Sequence, residues 1–374
     1  MKPEYQEYQT RKIINVHKHV DGPWFWGKYT AHPYVGCRSG CEFCYERGGR
    51  YIGRRDPDTF DTLIQVKINA VERLRKEIVK LTPEIISVGD WQQPAEQDYK
   101  LSRGMLEVVL EFGFPLFIVA RSPLLTRDID LLSEINRKTW VGVLYSISNL
   151  DPALKQAFEP CSPGVKQRLQ AIRQLSDAGI FAGVSMMPVI PFVGDDDQHL
   201  EDLIIAASDH GGQCVLSGGM TMDGVQAERT LAAAIRYDPT LQEKWRKFYN
   251  WPAGGKPSYG PPRAYNARLG LKVRDLCTKH GIIDRMPRYV LPGPNAVNKR
   301  IAARLFMKTY DLELEMASDQ RIWAYRRAAW TVDEMPENIR TIHDALGKKG
   351  LMTLPGIGDR LSGLIAAWLA EDKQ

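Results

Sequence analysis

Five short apolar runs mark the first part of the chain: EIISVG (84–89), PLFIVA (115–120), WVGVLYSIS (140–148), GIFAGVSMMPVI (179–190) and QCVLSG (213–218). They are rich in β-branched residues and end in Gly, Ser or Pro, which predicts buried parallel strands. Stretches of helical period lie between them. TLIQVKINAVERLRKEIVKL (62–81) puts Leu63, Val66, Val71, Leu74, Ile78 and Leu81 roughly on one helical face. SRGMLEVVLEFG, TRDIDLLSEINRK, SPGVKQRLQAIRQLSDAG and HLEDLIIAASDHGG continue the series, the third ending in a Gly suited to a helix C-cap. With an opening strand near Lys28–Tyr34, about six βα units result. Right-handed βα repetition makes a parallel barrel or partial barrel, whose chemistry sits at the C-terminal ends of the strands.

From about 219 to 262 the regularity fails. KWRKFYNWPAGGKPSYGPPRAYNAR (244–268) is rich in Pro, Gly, aromatic and basic residues and is expected to be a loop, linker or lid. Helical patterns return after 264, with a domain boundary near 290 at RYVLPGPN. The 374 residues are enough for two domains or for one large domain with an extension. No apolar run approaches the ~18 residues needed to span a membrane, and the polar start MKPEYQEYQTRK has no signal-peptide core. A soluble, cytoplasmic protein is expected. Net charge is only +5, yet residues 261–310 carry eleven Lys or Arg against Asp275 and Asp284, a local +9.

Three of the six cysteines, Cys37, Cys41 and Cys44, fall within GCRSGCEFCYERGGR (36–50), while Cys161, Cys214 and Cys277 are scattered. Six in this length do not make a disulfide framework. The spacing C-x3-C-x2-C fits a loop around one compact metal centre, and thiolates favour iron–sulfur clusters, zinc or copper(I). A [4Fe–4S] cluster on three cysteines keeps one iron open to a small molecule. Zinc with His32 as fourth ligand, or three buried thiols that bind nothing, are the alternatives on spacing alone. The loop's position after the first strand of a βα repeat favours the cluster.

C-x3-C-x2-C followed by an aromatic, here Tyr45, resembles the signature of radical S-adenosylmethionine (SAM) enzymes. The resemblance implies a [4Fe–4S] cluster on Cys37, Cys41 and Cys44, SAM chelated at the open iron, and reductive cleavage to a 5′-deoxyadenosyl radical. It also implies an electron donor such as flavodoxin or ferredoxin. HPYVGCRSGCEFCYER, SVGDWQQPAE, IVARSPLLTRDIDLL and SISNLDPALKQAFEPCSPGVKQRLQAIRQLSDAGIFAGVSMMPVIP are similar, in order, to the spore photoproduct lyase-like group. His32 stands where Asn is usual, Trp91 replaces Pro, and Ala120-Arg121 replaces Thr-Lys. SAM contacts are implied at Gly89, Asp90, Ser122, Ser146, Ser148 and the Pro188–Pro191 strand end. The group's photoproduct chemistry uses a cysteine in the segment matching Ser87–Asp90, and none stands there. Cys161 (EPCSP) or Cys214 could substitute as hydrogen-atom donor, and Tyr45, Tyr99 or Tyr145 could relay a radical. A lone Cys is more often a buried hydrophobe.

LMTLPGIGDRLSGLIAAWLAE (351–371) sets Pro-Gly-Ile-Gly between two helical runs. Gly356 and Gly358 allow a tight hairpin whose backbone N–H groups, with the next helix N-terminus, fit a phosphate. This resembles the helix-hairpin-helix motif of DNA repair proteins. Residues 295–342, with AYRRAA at Ala324–Ala329, are similar to the N-terminal domain of family X DNA polymerases. The resemblance implies DNA contacts at Gly356, Gly358 and Arg360, and at the basic Lys299 and Arg300. Asp359 stands where Lys is common, which weakens phosphate contact. The aromatics Trp245, Phe248, Tyr249, Trp251, Tyr259 and Tyr265 suit either base stacking or the packing of a lid or interface.

Together these features predict an α/β chain. A partial (β/α)6 radical SAM barrel (1–220) is followed by a basic, aromatic-rich extension (221–293) and a small all-α helix-hairpin-helix domain (294–374). The expected function is radical SAM chemistry on DNA, as lesion repair or base or sugar modification, with nucleoid association in that case. Radical modification of RNA, or non-catalytic DNA binding with a structural cluster, are the alternatives. No membrane partner is expected.

Overall fold

A computed structural model describes residues 3–89 and 91–372. The chain divides into two compact units, one made of Met1–Val16 with Tyr29–Arg285, the other of His17–Lys28 with Met286–Gln374. The first unit runs β1 (Glu4–Tyr8), β2 (Ile14–Val16), β3 (Tyr29–Ala31), β4 (Tyr34–Val35), α1 (Gly49–Ile52), β5 (Leu63–Lys67), α2 (Ala70–Ile78) and β6 (Ile86–Gly89). It continues through α3 (Glu96–Tyr99), α4 (Leu101–Phe112), β7 (Leu116–Ala120), α5 (Ile129–Lys138), β8 (Val141–Ser146), α6 (Pro152–Phe158), α7 (Val165–Asp177) and β9 (Phe181–Val189). It ends with α8 (Asp197–Asp209), β10 (Cys214–Gly219), α9 (Gly224–Tyr237), α10 (Leu241–Phe248) and α11 (Arg263–Lys279).

The main sheet has the order β10-β9-β8-β7-β6-β3-β2. Its strands from β3 to β10 pair in parallel, and β2 joins the edge antiparallel to β3. This is the α/β architecture that the apolar runs predict. All six residues of β8 are buried, as expected of a strand covered on both faces. Helix α4 turns Leu101, Met105, Leu106, Val108 and Val109 inward, at helical spacing. Gly179, at φ +73°, ends α7 in the left-handed conformation that a C-terminal Gly supplies.

Three expectations need correction. TLIQVKINAVERLRKEIVKL is not one helix. In Leu63–Lys67 only Ile64 and Val66 are buried, a period of two, and β1 pairs with the strand in parallel. The helix starts at Ala70, after Asn69 has bonded the backbone of Thr10 through both amide atoms (2.9 and 3.0 Å). The opening strand is also two pieces. β3 joins the main sheet, while β4 pairs with β5 in a second sheet of order β1-β5-β4. Third, 219–262 is not irregular, because α9 and α10 occupy much of it. Leu241, Trp245 and Tyr249 are fully buried there, in one core with Phe43 and Phe158. The packing role therefore claims most of the aromatic stretch, although Tyr259 is half exposed.

The second unit contains α12 (Ala296–Leu314), α13 (Asp319–Glu334), α14 (Ile339–Leu351) and α15 (Asp359–Glu371). It is not the C-terminal segment alone, because residues 17–28 complete it. Trp26 is buried, donates its indole N–H to the Met286 carbonyl (2.8 Å) and meets the Phe306 ring edge-on. Trp330 donates to the Val20 carbonyl (3.1 Å) and stacks on His19. The fully buried Asn298 ties α12 to the start of α14, donating to the Glu337 carbonyl and accepting from the Ile339 N–H. Helix α14 is broken at Gly347 (φ +60°).

Candidate active site

The loop after β4 carries the three clustered cysteines. Gly36 sits at φ +91°, and a Cβ there would lie 2.7 Å from the Phe60 carbonyl oxygen, so only glycine fits. Next to it Cys37 donates its N–H to that same oxygen (3.1 Å). A tight turn follows, in which the Gly40 N–H bonds the Cys37 carbonyl and the Cys44 N–H bonds the Cys41 carbonyl. The fully buried Arg47 anchors the loop. It donates to the Pro57 carbonyl (2.7 Å), pairs with Asp61 (3.0 Å) and lies over the Phe60 ring. Cys37 and Cys41 are buried and Cys44 is partly so.

Polar side chains collect at the neighbouring strand ends. Gln93, four residues beyond β6, donates to the Gly36 carbonyl (3.1 Å) and so ties this strand end to the cysteine loop. Among the described residues its Oε1 has no hydrogen-bond partner, nor do both amide atoms of Gln92, Ser87 Oγ, Ser148 Oγ and Asn149 Oδ1, all of them buried atoms. Buried polar atoms are normally satisfied, so this set, within and after β6 and after β8, suits a polar ligand. Gly89 ends β6 with open space beside it, a Cβ meeting nothing nearer than 3.8 Å. Asp90 lies outside the described residues. Ser146 ends β8 and Ser122 follows β7, where its hydroxyl accepts the Leu124 N–H as a turn cap. Pro191, buried after β9, accepts the Trp245 indole N–H at its carbonyl (3.2 Å).

Sequence reading missed a charged cluster here. Glu159 is buried between Arg121 (2.7 Å) and Arg168 (2.9 Å), and also accepts the Ser162 hydroxyl (3.0 Å). Burial alone would raise its carboxyl, but the two guanidinium groups outweigh that and hold it at about 2. Arg168 also donates to the Ser146 carbonyl (2.5 Å), and Arg121 approaches the ring of Phe43 in the cysteine loop (5.9 Å). The only signal was Arg121 in place of a lysine. In EPCSP Glu159 and Ser162 are buried, while Cys161 is exposed. Tyr45 is half exposed and meets Tyr51 edge-on. Tyr145 is buried and donates to the Ser122 carbonyl (3.3 Å), and Tyr99 donates to Glu7 (2.8 Å).

Among the described residues, no three His, Cys, Asp or Glu side chains converge on a single ion. The thiolates of a cubane each bind a different iron, so that geometry is not required of them. Three soft thiol donors on one tightly held loop, beside unsatisfied polar atoms, fit an iron–sulfur cluster with a polar ligand.

In the second unit, Gly356 has φ +75°, while Gly358 caps α15 at φ −88°, with open space where a Cβ would stand. Arg360 is exposed. Arg300 is engaged by Asp372 through two 2.7 Å bonds, Lys299 pairs with Asp333 (3.5 Å), and Asp359 pairs with Lys348 (2.7 Å).

Residues 32–204 match the Radical SAM superfamily. An uncharacterised protein of Mycobacterium tuberculosis (strain H37Rv) is 29% identical over 68% of this chain and 74% of its own length. One from Methanocaldococcus jannaschii is 29% identical over 51% of this chain and 69% of its own. Among solved structures, spore photoproduct lyase complexed with dinucleoside spore photoproduct is similar in fold, with TM-score 0.54 and 18% identity over 75% of this chain and 81% of that one. A variant of that lyase with bound AdoMet and the same dinucleoside gives TM-score 0.52 at 18% identity, over 75% and 80%.

Proposed function

With a Radical SAM superfamily domain at 32–204, this chain is a radical SAM enzyme, and we propose that it acts on DNA. The observation that carries this reading is the pairing, in one chain, of the cysteine site with the α14–α15 hairpin. The fold similarity to a lyase complexed with a dinucleoside photoproduct supports it. In this reading Cys37, Cys41 and Cys44 hold a [4Fe–4S] cluster. Gly89, Asp90, Ser122, Ser146, Ser148 and Pro191, with Gln92, Gln93 and Asn149, surround SAM. When bound, cluster and SAM together supply a 5′-deoxyadenosyl radical as the hydrogen-abstracting oxidant. The protein's own part is to orient the reactants and exclude water. Cys161 and Tyr45 are the candidates for hydrogen or radical transfer near the surface, and a flavodoxin or ferredoxin is the candidate electron donor. No helix among the described residues is long and apolar enough to cross a membrane.

On the second unit, backbone N–H groups at Gly356 and Gly358 and the Arg360 side chain hold phosphate. Lys299 and Arg300, matched by Asp333 and Asp372, shape that surface more than they offer free charge. The reaction test is isotopic. Anaerobic turnover with deuterated DNA is expected to put deuterium into 5′-deoxyadenosine, measured by mass spectrometry. Transfer from RNA but never from DNA would overturn the substrate. For the hairpin, Gly358→Val is the cleaner variant, since its backbone is in an ordinary region and its side chain meets open space. It is expected to weaken duplex binding with little change in the salt slope, because the variant removes a backbone contact and no charge. Unchanged affinity in a binding titration would exclude this hairpin as the grip.

A further inference from the structure

Helix α9 follows the residues matched to the superfamily, and one of its faces holds the cysteine loop. Gln226, Arg229 and Thr230 lie three to four residues apart and so share a face. Arg229 pairs with Glu42 Oε2 (3.0 Å) and Arg236 with Glu42 Oε1 (3.2 Å). The Thr230 hydroxyl lies within hydrogen-bond distance of the Glu42 carbonyl (3.0 Å) as well as of the Gln226 carbonyl in its own helix (2.6 Å), and Gln226 Nε2 donates to the Phe43 carbonyl (3.3 Å). Gln226 is itself fixed, because its Oε1 accepts the Asp223 N–H (2.7 Å). On the remaining side, the Glu42 N–H bonds the Phe158 carbonyl (2.9 Å). Every polar group of Glu42 is thus engaged, and Glu42 and Phe43 are the two residues between Cys41 and Cys44. Gln226 and Thr230 are fully buried, so water does not compete for these bonds.

We propose that α9 is a clamp on the cysteine loop. Glu42, Gln226, Thr230, Arg229 and Arg236 are positioning residues that hold Cys41 and Cys44 ready to load and retain the cluster. This rests on the cluster reading and is independent of the DNA substrate. A loop whose ligands are oriented in advance loses less freedom on binding, and groups behind the ligands commonly change metal affinity about 10–100-fold. The two arginines also set positive charge next to a segment that becomes anionic when its thiols ionise.

The experiment compares iron release to a chelator, under anaerobic conditions, from the reconstituted full chain and its Glu42→Gln, Arg229→Gln and Arg236→Gln variants. Arg229 and Arg236 are partly exposed, so their variants keep the test available if Glu42→Gln folds poorly. Iron release is expected to accelerate about 10–100-fold in Glu42→Gln and Arg229→Gln, with the unfolding midpoint little changed and partial rescue in Arg229→Lys. The electron paramagnetic resonance line shape of the reduced cluster should shift in the same variants. Cutting the surface pair Arg75–Glu111 should do neither. Wild-type release rates and line shapes in all three variants would overturn the clamp. So would release that merely follows the loss of global stability. A wild-type chain that never retains iron would overturn the cluster reading itself, and the clamp with it.

Discussion

Glu159→Gln is expected to destabilise the first unit by about 3–5 kcal/mol, the usual cost of breaking a buried ion pair by removing one partner. The carboxylate is 3% exposed and lies between Arg121, at 11%, and Arg168, at 1%. A neutral amide leaves two cations facing each other away from water. Thermal unfolding should show a midpoint lower by roughly 10 °C. The pH dependence has a definite sign. Glu159 is held at about 2 in the folded chain, below its unfolded value of about 4.3. Its contribution is therefore complete above the unfolded value and is lost as pH falls through about 2. The glutamine variant should lack that part of the acid limb. A variant as stable as wild type at pH 7, with the same acid limb, would show that the arginines do not depend on Glu159. Part of the cost should also reach the site, because Arg121 approaches Phe43, which lies between Cys41 and Cys44.

Cys41→Ala is expected to reduce SAM cleavage to background and to abolish the iron–sulfur absorbance after anaerobic reconstitution. The chain has no spare thiolate to replace it. Cys214 and Cys277 are buried, and burial drives both thiols upward, Cys277 to about 12. Neutral thiols are poor ligands. Cys161 is exposed in the turn between α6 and α7, outside the compact loop that holds the other three. Cys277→Ala should therefore keep its iron and its SAM cleavage while losing some stability through the cavity it leaves in the core. Iron and sulfide per chain, with 5′-deoxyadenosine yield, distinguish the two variants. Wild-type cleavage in Cys41→Ala would remove that residue from the cluster.

What could be read from the chain was what depends on near neighbours. Strands β6 to β10 are continuous apolar runs closed by turn residues, and α4, α5, α7 and α8 carry an apolar face at helical spacing. Both signals span only a few residues. The cysteine loop was equally plain, since its three thiols and two left-handed glycines lie within nine positions. Strand β5 was misread because Leu63 and Val66 continue the phase of α2. Only the pairing of Leu63–Lys67 with Glu4–Tyr8 decides for strand there. Helix α9 was hidden by the Pro- and Gly-rich stretch after it, and nothing in its own residues reveals the Glu42 carboxylate that its arginines hold. The same is true of Gln93 at the Gly36 carbonyl, of Glu159 between Arg121 and Arg168, and of residues 17–28 in the second unit. Sequence determined the βα series, the soft-ligand loop and the helical C-terminal segment, because period, turn chemistry and ligand spacing are local properties of a chain. Tertiary structure alone decided which buried charges meet and which helix holds the loop, because those partners lie from nine to nearly two hundred residues apart and only the fold brings them within bonding distance.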